Sequence, residues 1–544
     1  MTQSGYNRAT RRFGAAAPWM RRVAMFLVLV AGLASGESRA EELAGAIDAQ
    51  AILDRLEAQD AEIARLRSKL ADFEDFGPAA IDEESRIRGI VREQLSEEQS
   101  LMQTNAEQAS APAPADGYEV GSDLNMTAAW HNGLEIATKN KDFLFHAGGR
   151  VQFDSGWYEA ENDLQFGPGG TGEFRDGVDF RRARFQINGT MYEVIDWNAE
   201  FDFVNSVLVG SAPANVPAPT DLWWTFTHLP YVGNLRVGNM KEPIGFEHLV
   251  SSRFLPFLER SFNQDAFYGP FNNGFTPGMM FFNQPLEERM TWWVGFFKPT
   301  SNPFAFNTGD AEYSATARLT FLPWYVDEGR GLLHLGVSAR HADLDEGHIR
   351  FRARGSVRSG AGPQLPVLAD TRVGGSDIAG DDNQMINPEV AMVVGPWSLQ
   401  SDYLVSWVQD ASQGAIAEVD HVFYHGGYVQ VMYFLTGESQ PYNTKTGVFE
   451  RVVPQENFFF VKDCNGRTQH GIGAWQVGAR YSRLDLNDEA MDGGILDDLT
   501  VGLNWFLNPN MKIQANYSLT HRESATRLSD GIVQAVGLRF ASDF

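Results

Sequence analysis

Between residue 143 and the C-terminal Phe544, apolar and polar side chains alternate with a period of two over many separate stretches. In FLFHAGGRVQFD, residues 143–154, Phe143, Phe145, Ala147, Val151 and Phe153 share one parity, while His146, Arg150, Gln152 and Asp154 share the other. Successive side chains of an extended strand point to opposite faces, so such a stretch has one greasy and one wet face. The pattern recurs in WNAEFDF (197–203), YSATARLTF (313–321), WQVGARY (475–481) and MKIQANYSL (511–519), where Arg480, Lys512, Gln514 and Asn516 take the polar side.

A soluble β-sandwich alternates in the same way, and the segment ends separate the two cases. Trp223-Trp224, Trp292-Trp293 and Trp324-Tyr325 lie near segment boundaries, where a membrane-interface girdle places aromatic rings. NWFLNPNMKI puts Asn508-Pro509-Asn510 between two alternating runs, a tight hairpin signal. In the last segment Val536, Leu538, Phe540 and Phe544 share one face, and a final strand ending in Phe is the feature outer-membrane barrels present to their insertion machinery. The expected fold is therefore all-β: a transmembrane antiparallel β-barrel over residues 123–544, whose closure pairs every backbone polar group that faces lipid. About 400 residues at roughly 10 per strand, plus turns and loops, allow 14 to 18 strands, about 16, enough for a wet lumen. Composition agrees, with 53 Gly, 12% aromatic residues and a mean hydropathy of -0.28. No run reaches the roughly 18 apolar residues of a membrane-spanning helix.

The longest apolar run, Val23 to Leu33, follows Arg8, Arg11, Arg12, Arg21 and Arg22 and precedes Ser38-Arg39-Ala40. That order reads as a secretory signal peptide over 1–40, with Glu41 starting the mature chain. From Ile52, the residues Leu56, Gln59, Ile63, Leu66, Leu70 and Phe73 follow at steps of four and three, a heptad seam. With a second helical piece near Ser85 to Met102, it gives an acidic helical or coiled-coil periplasmic extension over 41–104, joined by an Ala/Pro-rich linker, 105–122. Roughly 20 acidic against 7 basic residues from Glu41 to Asp123 account for about half of the net charge of -26. The single cysteine, Cys464, excludes an internal disulfide. No catalytic, metal-ligand, phosphate-loop or nucleic-acid motif rises above chance, so neither a cofactor nor a nucleic-acid partner is expected.

Cations gather in DFRRARFQINGTMY, 179–192. Arg182, Arg184, Gln186, Asn188 and Thr190 share the polar parity and are expected to face the lumen, as is Arg150. Arg181 has the wrong parity, so either a bulge re-aims it or it lies beyond the strand end. Lumen arginines offer forked donors to phosphate and carboxylate oxygens, or they pair with wall carboxylates such as Glu200 and Asp202. Both readings stay open on spacing alone.

The chain resembles the phosphate-selective porin O and P family from about residue 132 onward. The likeness is carried by NGLEIATKNKDFLFHAGGRVQFD (132–154), DFRRARFQINGTMY (179–192), GNMKEPIGFEHLVSSRFLPFLERS (238–261), GGYVQVMYFLTGE (426–438), GAWQVGARYSRLDLN (473–487) and VGLNWFLNPN (501–510). The resemblance implies an outer-membrane homotrimer of 16-stranded barrels, in which inward loops and wall residues form an anion-binding constriction rich in arginine and lysine. By motif, Arg181 and Arg182 match the central binding pair, Arg150 the G-G-R arginine, and Arg253 and Arg260 further basic positions. Asp221 matches an acidic constriction residue. At His248 the sequence departs from a family lysine, which removes one charge at pH 7 and introduces a pH dependence.

The implied activity is passive diffusion of inorganic phosphate or other small anions across the outer membrane. The alternatives are a general porin with little anion preference and an envelope-tethering barrel, whose N-terminal segment contacts the cell wall. A hydrolase would need a nucleophile and base in reach, and Ser406 and His425 stand in no recognisable motif. Loop insertions such as 355–385, rich in Gly, Arg and Asp, are expected to be external.

Overall fold

The structure, a computed structural model, describes residues 119–204, 206–209, 212–215, 217–269, 274–299, 313–344, 347–358, 366–462, 466–488, 491–523 and 528–544. The signal peptide, the heptad segment, most of the linker and Cys464 lie outside the described residues.

The wall consists of sixteen strands among the described residues. They are β1 (Leu144–Ala160), β2 (Gly177–Met191), β3 (Ile195–Asp202), β4 (Ala218–Leu229), β5 (Gly233–Lys241), β6 (Phe275–Asn283), β7 (Met290–Phe297) and β8 (Ser314–Val326). There follow β9 (Gly331–Asp343), β10 (Asp382–Val394), β11 (Trp397–Gln413), β12 (Ile416–Phe434), β13 (Ala474–Asp488), β14 (Met491–Asn508), β15 (Met511–Glu523) and β16 (Gly531–Asp543). Each pairs antiparallel with the next, and β16 returns to β1 in register from Val533 opposite Ala160 to Asp543 opposite Arg150. Closure leaves no free edge along the wall, the condition for strands in hydrocarbon.

The period-two pattern sorts into inside and outside. On β15, Lys512, Gln514, Asn516, Ser518, Thr520 and Arg522 are buried within the barrel, whereas Met511, Tyr517 and Leu519 are exposed on its outer face. On β8 the same split separates Ser314, Thr316, Arg318 and Thr320 from Leu319 and Phe321. The aromatic pairs correct the girdle expectation. Trp224 is exposed, but Trp223 lies inside beneath Arg236, 3.8 Å from ring centroid to guanidinium carbon. Trp293 is buried against Phe282, with centroids 4.4 Å apart. Consecutive strand residues cannot share a face, so these two pairs each send one indole to the lumen.

Connections alternate between the two barrel ends. One end has tight turns such as 395–396 and 509–510, together with a long connection, 435–473. The other has the longer loops, including 242–274 and 344–381. Described parts of three of these segments fold into the lumen, where loop backbone needs hydrogen-bond partners that no neighbouring strand supplies. Wall side chains provide them. Lys512 donates to the carbonyl of Leu255 (2.8 Å), Arg539 to Leu258 (2.6 Å), and Arg480 to Glu259 (2.9 Å). Asp402 on β11 accepts the backbone N–H groups of Phe246 (3.3 Å) and Glu247 (3.0 Å). Arg318 on β8 holds the long connection through the carbonyls of Thr446 (3.1 Å) and Gly447 (2.8 Å). Phe449 of that connection meets Phe246 of the loop at 5.0 Å between centroids.

The expectation that 355–385 is external is wrong for much of that stretch. Ser356, Val357, Arg358, Leu368, Ala369 and Thr371 are buried, and Ser356 donates to Asp498 of β14 at 3.1 Å. Apolar residues among the loop's arginines drive it inward: Phe351 packs with Phe267 and Tyr424, and Val357 lies against Gly537 of β16.

Candidate anion site

A cavity of about 530 Å³ lies between the inner wall of β1 to β7 and the inward loops. Among the described residues, eleven arginine or lysine side chains line it against five carboxylates. All seven residues singled out in the sequence, Arg150, Arg181, Arg182, Asp221, His248, Arg253 and Arg260, are in that lining.

A bulge resolves the parity conflict at Arg181. Gln152 of β1 pairs with Arg182, but the next β1 residue, Phe153, pairs with Phe180. Arg181 is the extra residue on β2, and the local bend aims both arginines at the cavity. Arg181 forks onto Glu259 with contacts of 2.7 and 3.0 Å. Arg182 instead donates to the Gln152 amide oxygen at 2.8 Å and stays 3.9 Å from Glu259.

Wall carboxylates take up part of the charge. Glu200 pairs with Arg150 and with Arg184 (2.9 Å), and Asp202 pairs with Arg184 (2.7 Å). Arg150 also donates to the Ser252 hydroxyl at 2.7 Å. Arg253 reaches Gln186 at 2.9 Å and Asp543 at 3.5 Å. Arg260 differs: it donates to the carbonyls of Glu247 (2.9 Å) and Val250 (2.6 Å), and no described carboxylate forms an ion pair with it. Lys241, at the end of β5, likewise donates to the carbonyls of His248 and Val250. Asp221 on β4 accepts from the Trp223 indole at 3.3 Å.

His248 sits in the one-turn helix Phe246–Leu249 of the inward loop. Its ring stacks on Tyr268 with centroids 4.4 Å apart, and Nδ1 lies 3.0 Å from the Gln264 amide oxygen. Burial, reinforced by the charges of Lys241 and Arg260, holds its pKa well below the ordinary imidazole value. The ring is neutral at pH 7, and its titration lies on the acid side of 6.5.

Reading the sequence missed Lys241, Arg236, Arg352, Arg354 and Arg358, all in the lining, and the carboxylates Glu259 and Asp265. Arg354 pairs with Asp265 at 2.9 Å, as does Arg358 at 2.9 Å. A signal was available in RFRARGSVR, where Arg350, Arg352, Arg354 and Arg358 share one parity. What it lacked was any indication that this loop turns inward. The hydrolase alternative loses its geometry: Ser406 is buried inside the wall, while His425 bonds the exposed Tyr403 on the outer face.

Residues 145–544 match the family described as phosphate-selective porin O and P. Porin O of Pseudomonas aeruginosa is 27% identical over 417 residues, covering 71% of this chain and 84% of that protein. An uncharacterized protein of Caulobacter vibrioides is 24% identical over 526 residues, covering 95% and 96% of the two chains. Among solved structures, an anion-selective porin from Comamonas acidovorans superposes with a TM-score of 0.43 at 11% identity, covering 74% of this chain and all of that one.

Proposed function

Because the chain belongs to the phosphate-selective porin O and P family and is a porin of the bacterial outer membrane, we propose that it passes small anions, phosphate or related oxyanions, through the arginine-lined cavity. The observation that carries this reading is the excess of cations over carboxylates in the lining. Buried charges are ordinarily paired, so a cavity with unbalanced arginine and lysine draws its counter-ions from solution. Arg181 and Arg182 act as the central pair, with Arg150, Arg253 and Arg260 along the path. Asp221 sets the acidic edge, and neutral His248 contributes shape and no charge at pH 7.

One observation favours a general porin with weak preference: Arg150, Arg181 and Arg184 are committed to Glu200, Glu259 and Asp202. Zero-current potential across a planar bilayer under a KCl gradient, with and without phosphate, decides between them. Anion selectivity that phosphate blocks, and that Arg181→Ala with Arg182→Ala abolishes, is the expected result. Weak or cation selectivity sinks the proposal. The family resemblance supports a homotrimer, and envelope contact is assigned to residues 41–104.

A further inference from the structure

A second, smaller cavity of about 30 Å³ opens at the barrel end that holds the 509–510 turn and the C-terminus. It shares Arg150 and Arg253 with the main cavity and adds Arg451 and Lys512. Among the described residues in its lining, Asp543 is the one carboxylate. Asp543 holds Arg451 through two contacts, one of them 3.1 Å, and lies 3.5 Å from Arg253. Arg451 comes from the long inward connection and covers Phe254, 5.4 Å from its ring centroid.

We propose that Asp543 is a gate carboxylate at the periplasmic mouth of the anion path, occupying the Arg253 and Arg451 guanidinium groups until a passing anion takes its place. The proposal rests on the anion-channel reading. The throat has room for one or two waters, so an oxyanion leaving Arg253 has to exchange with the carboxylate rather than pass beside it. Forked guanidinium groups suit this exchange because carboxylate and phosphate oxygens use the same donors. No bond is made or broken; one anion replaces another, and Asp543 closes the throat behind it.

A purely structural pair would only fasten the connection to the wall. Asp543→Asn and Arg451→Gln both break that fastening, so a structural role moves both variants in the same direction. Under exchange they move in opposite directions. Conductance is measured in planar bilayers over a series of phosphate concentrations. D543N is expected to lower the half-saturating concentration roughly threefold to tenfold, the effect of one unit charge a few ångströms away in a wet throat, and to reduce the maximal conductance as anions are held longer. R451Q is expected to raise the half-saturating concentration by a similar factor. Asp543→Ser makes the same charge change by a second route if the amide does not assemble. Shifts of the same sign, or none, overturn the gate while leaving the anion channel standing. A wild-type conductance that never saturates overturns both.

Discussion

Arg260 is a charge in no ion pair with a described carboxylate, so its removal changes the cavity's field without leaving a carboxylate unpaired. Burial pushes its pKa down to about 10, against the pull of Glu247 and Glu259. It is charged at pH 7 all the same. Replacing it with Gln removes one unit charge at roughly 6 Å from an anion in the cavity, which at an effective dielectric constant of about 20 to 80 is worth about 0.7 to 2.8 kcal/mol per anion charge. The midpoint corresponds to about twentyfold in affinity for a monoanion and more for a dianion. Conductance against phosphate concentration in planar bilayers reads this directly as a higher half-saturating value. Arg260 also bonds two loop carbonyls, so Arg260→Lys separates charge from scaffolding and is expected to stay within about threefold of the wild type. Lys445, whose side chain is 72% exposed, is the control, and its change to Gln leaves the curve in place. A half-saturating value for R260Q within twofold of the wild type refutes the reasoning.

Other outcomes follow from the wall and its inward segments. Val501→Arg sets a cation on the outer face of β14; it is expected to destabilise the barrel by about 2 to 4 kcal/mol in refolding titrations if the site is near the midplane, and a neutral effect shows that lipid does not cover this face. Gly189→Ala places a Cβ 1.9 Å from the Leu144 carbonyl, and the overpacking is expected to lower the yield of folded barrel on a gel of unheated protein. Asp402→Ala strands the Phe246 and Glu247 N–H groups and the Tyr428 hydroxyl, at about 1 to 3 kcal/mol each; noisier single-channel current is expected, and an unchanged trace sinks the clamp. A protein lacking residues 41–117 is expected to conduct as the full chain does, and loss of conductance assigns the N-terminal segment a part in the pore.

The barrel was legible in the sequence because lipid and water enforce a period of two on each strand. The polar side of MKIQANYSL is the buried side of β15, and a resemblance carried by short motifs pointed to the lining residues one by one. Parity alone misplaced Arg181: a bulge depends on the pairing of β1 with β2, which one strand's sequence does not contain. Arg352, Arg354 and Arg358 were visible as residues but not as lining, because the inward turn of their loop is set by Phe351 meeting Phe267 and Tyr424, contacts distant in sequence. The alternation of side chains, a local property, determined that this chain is a closed wall with a wet interior. Which arginines remain unbalanced there was decided by tertiary structure, since Arg181 and Arg260 differ in the carboxylates that folding brings beside them, not in their own chemistry.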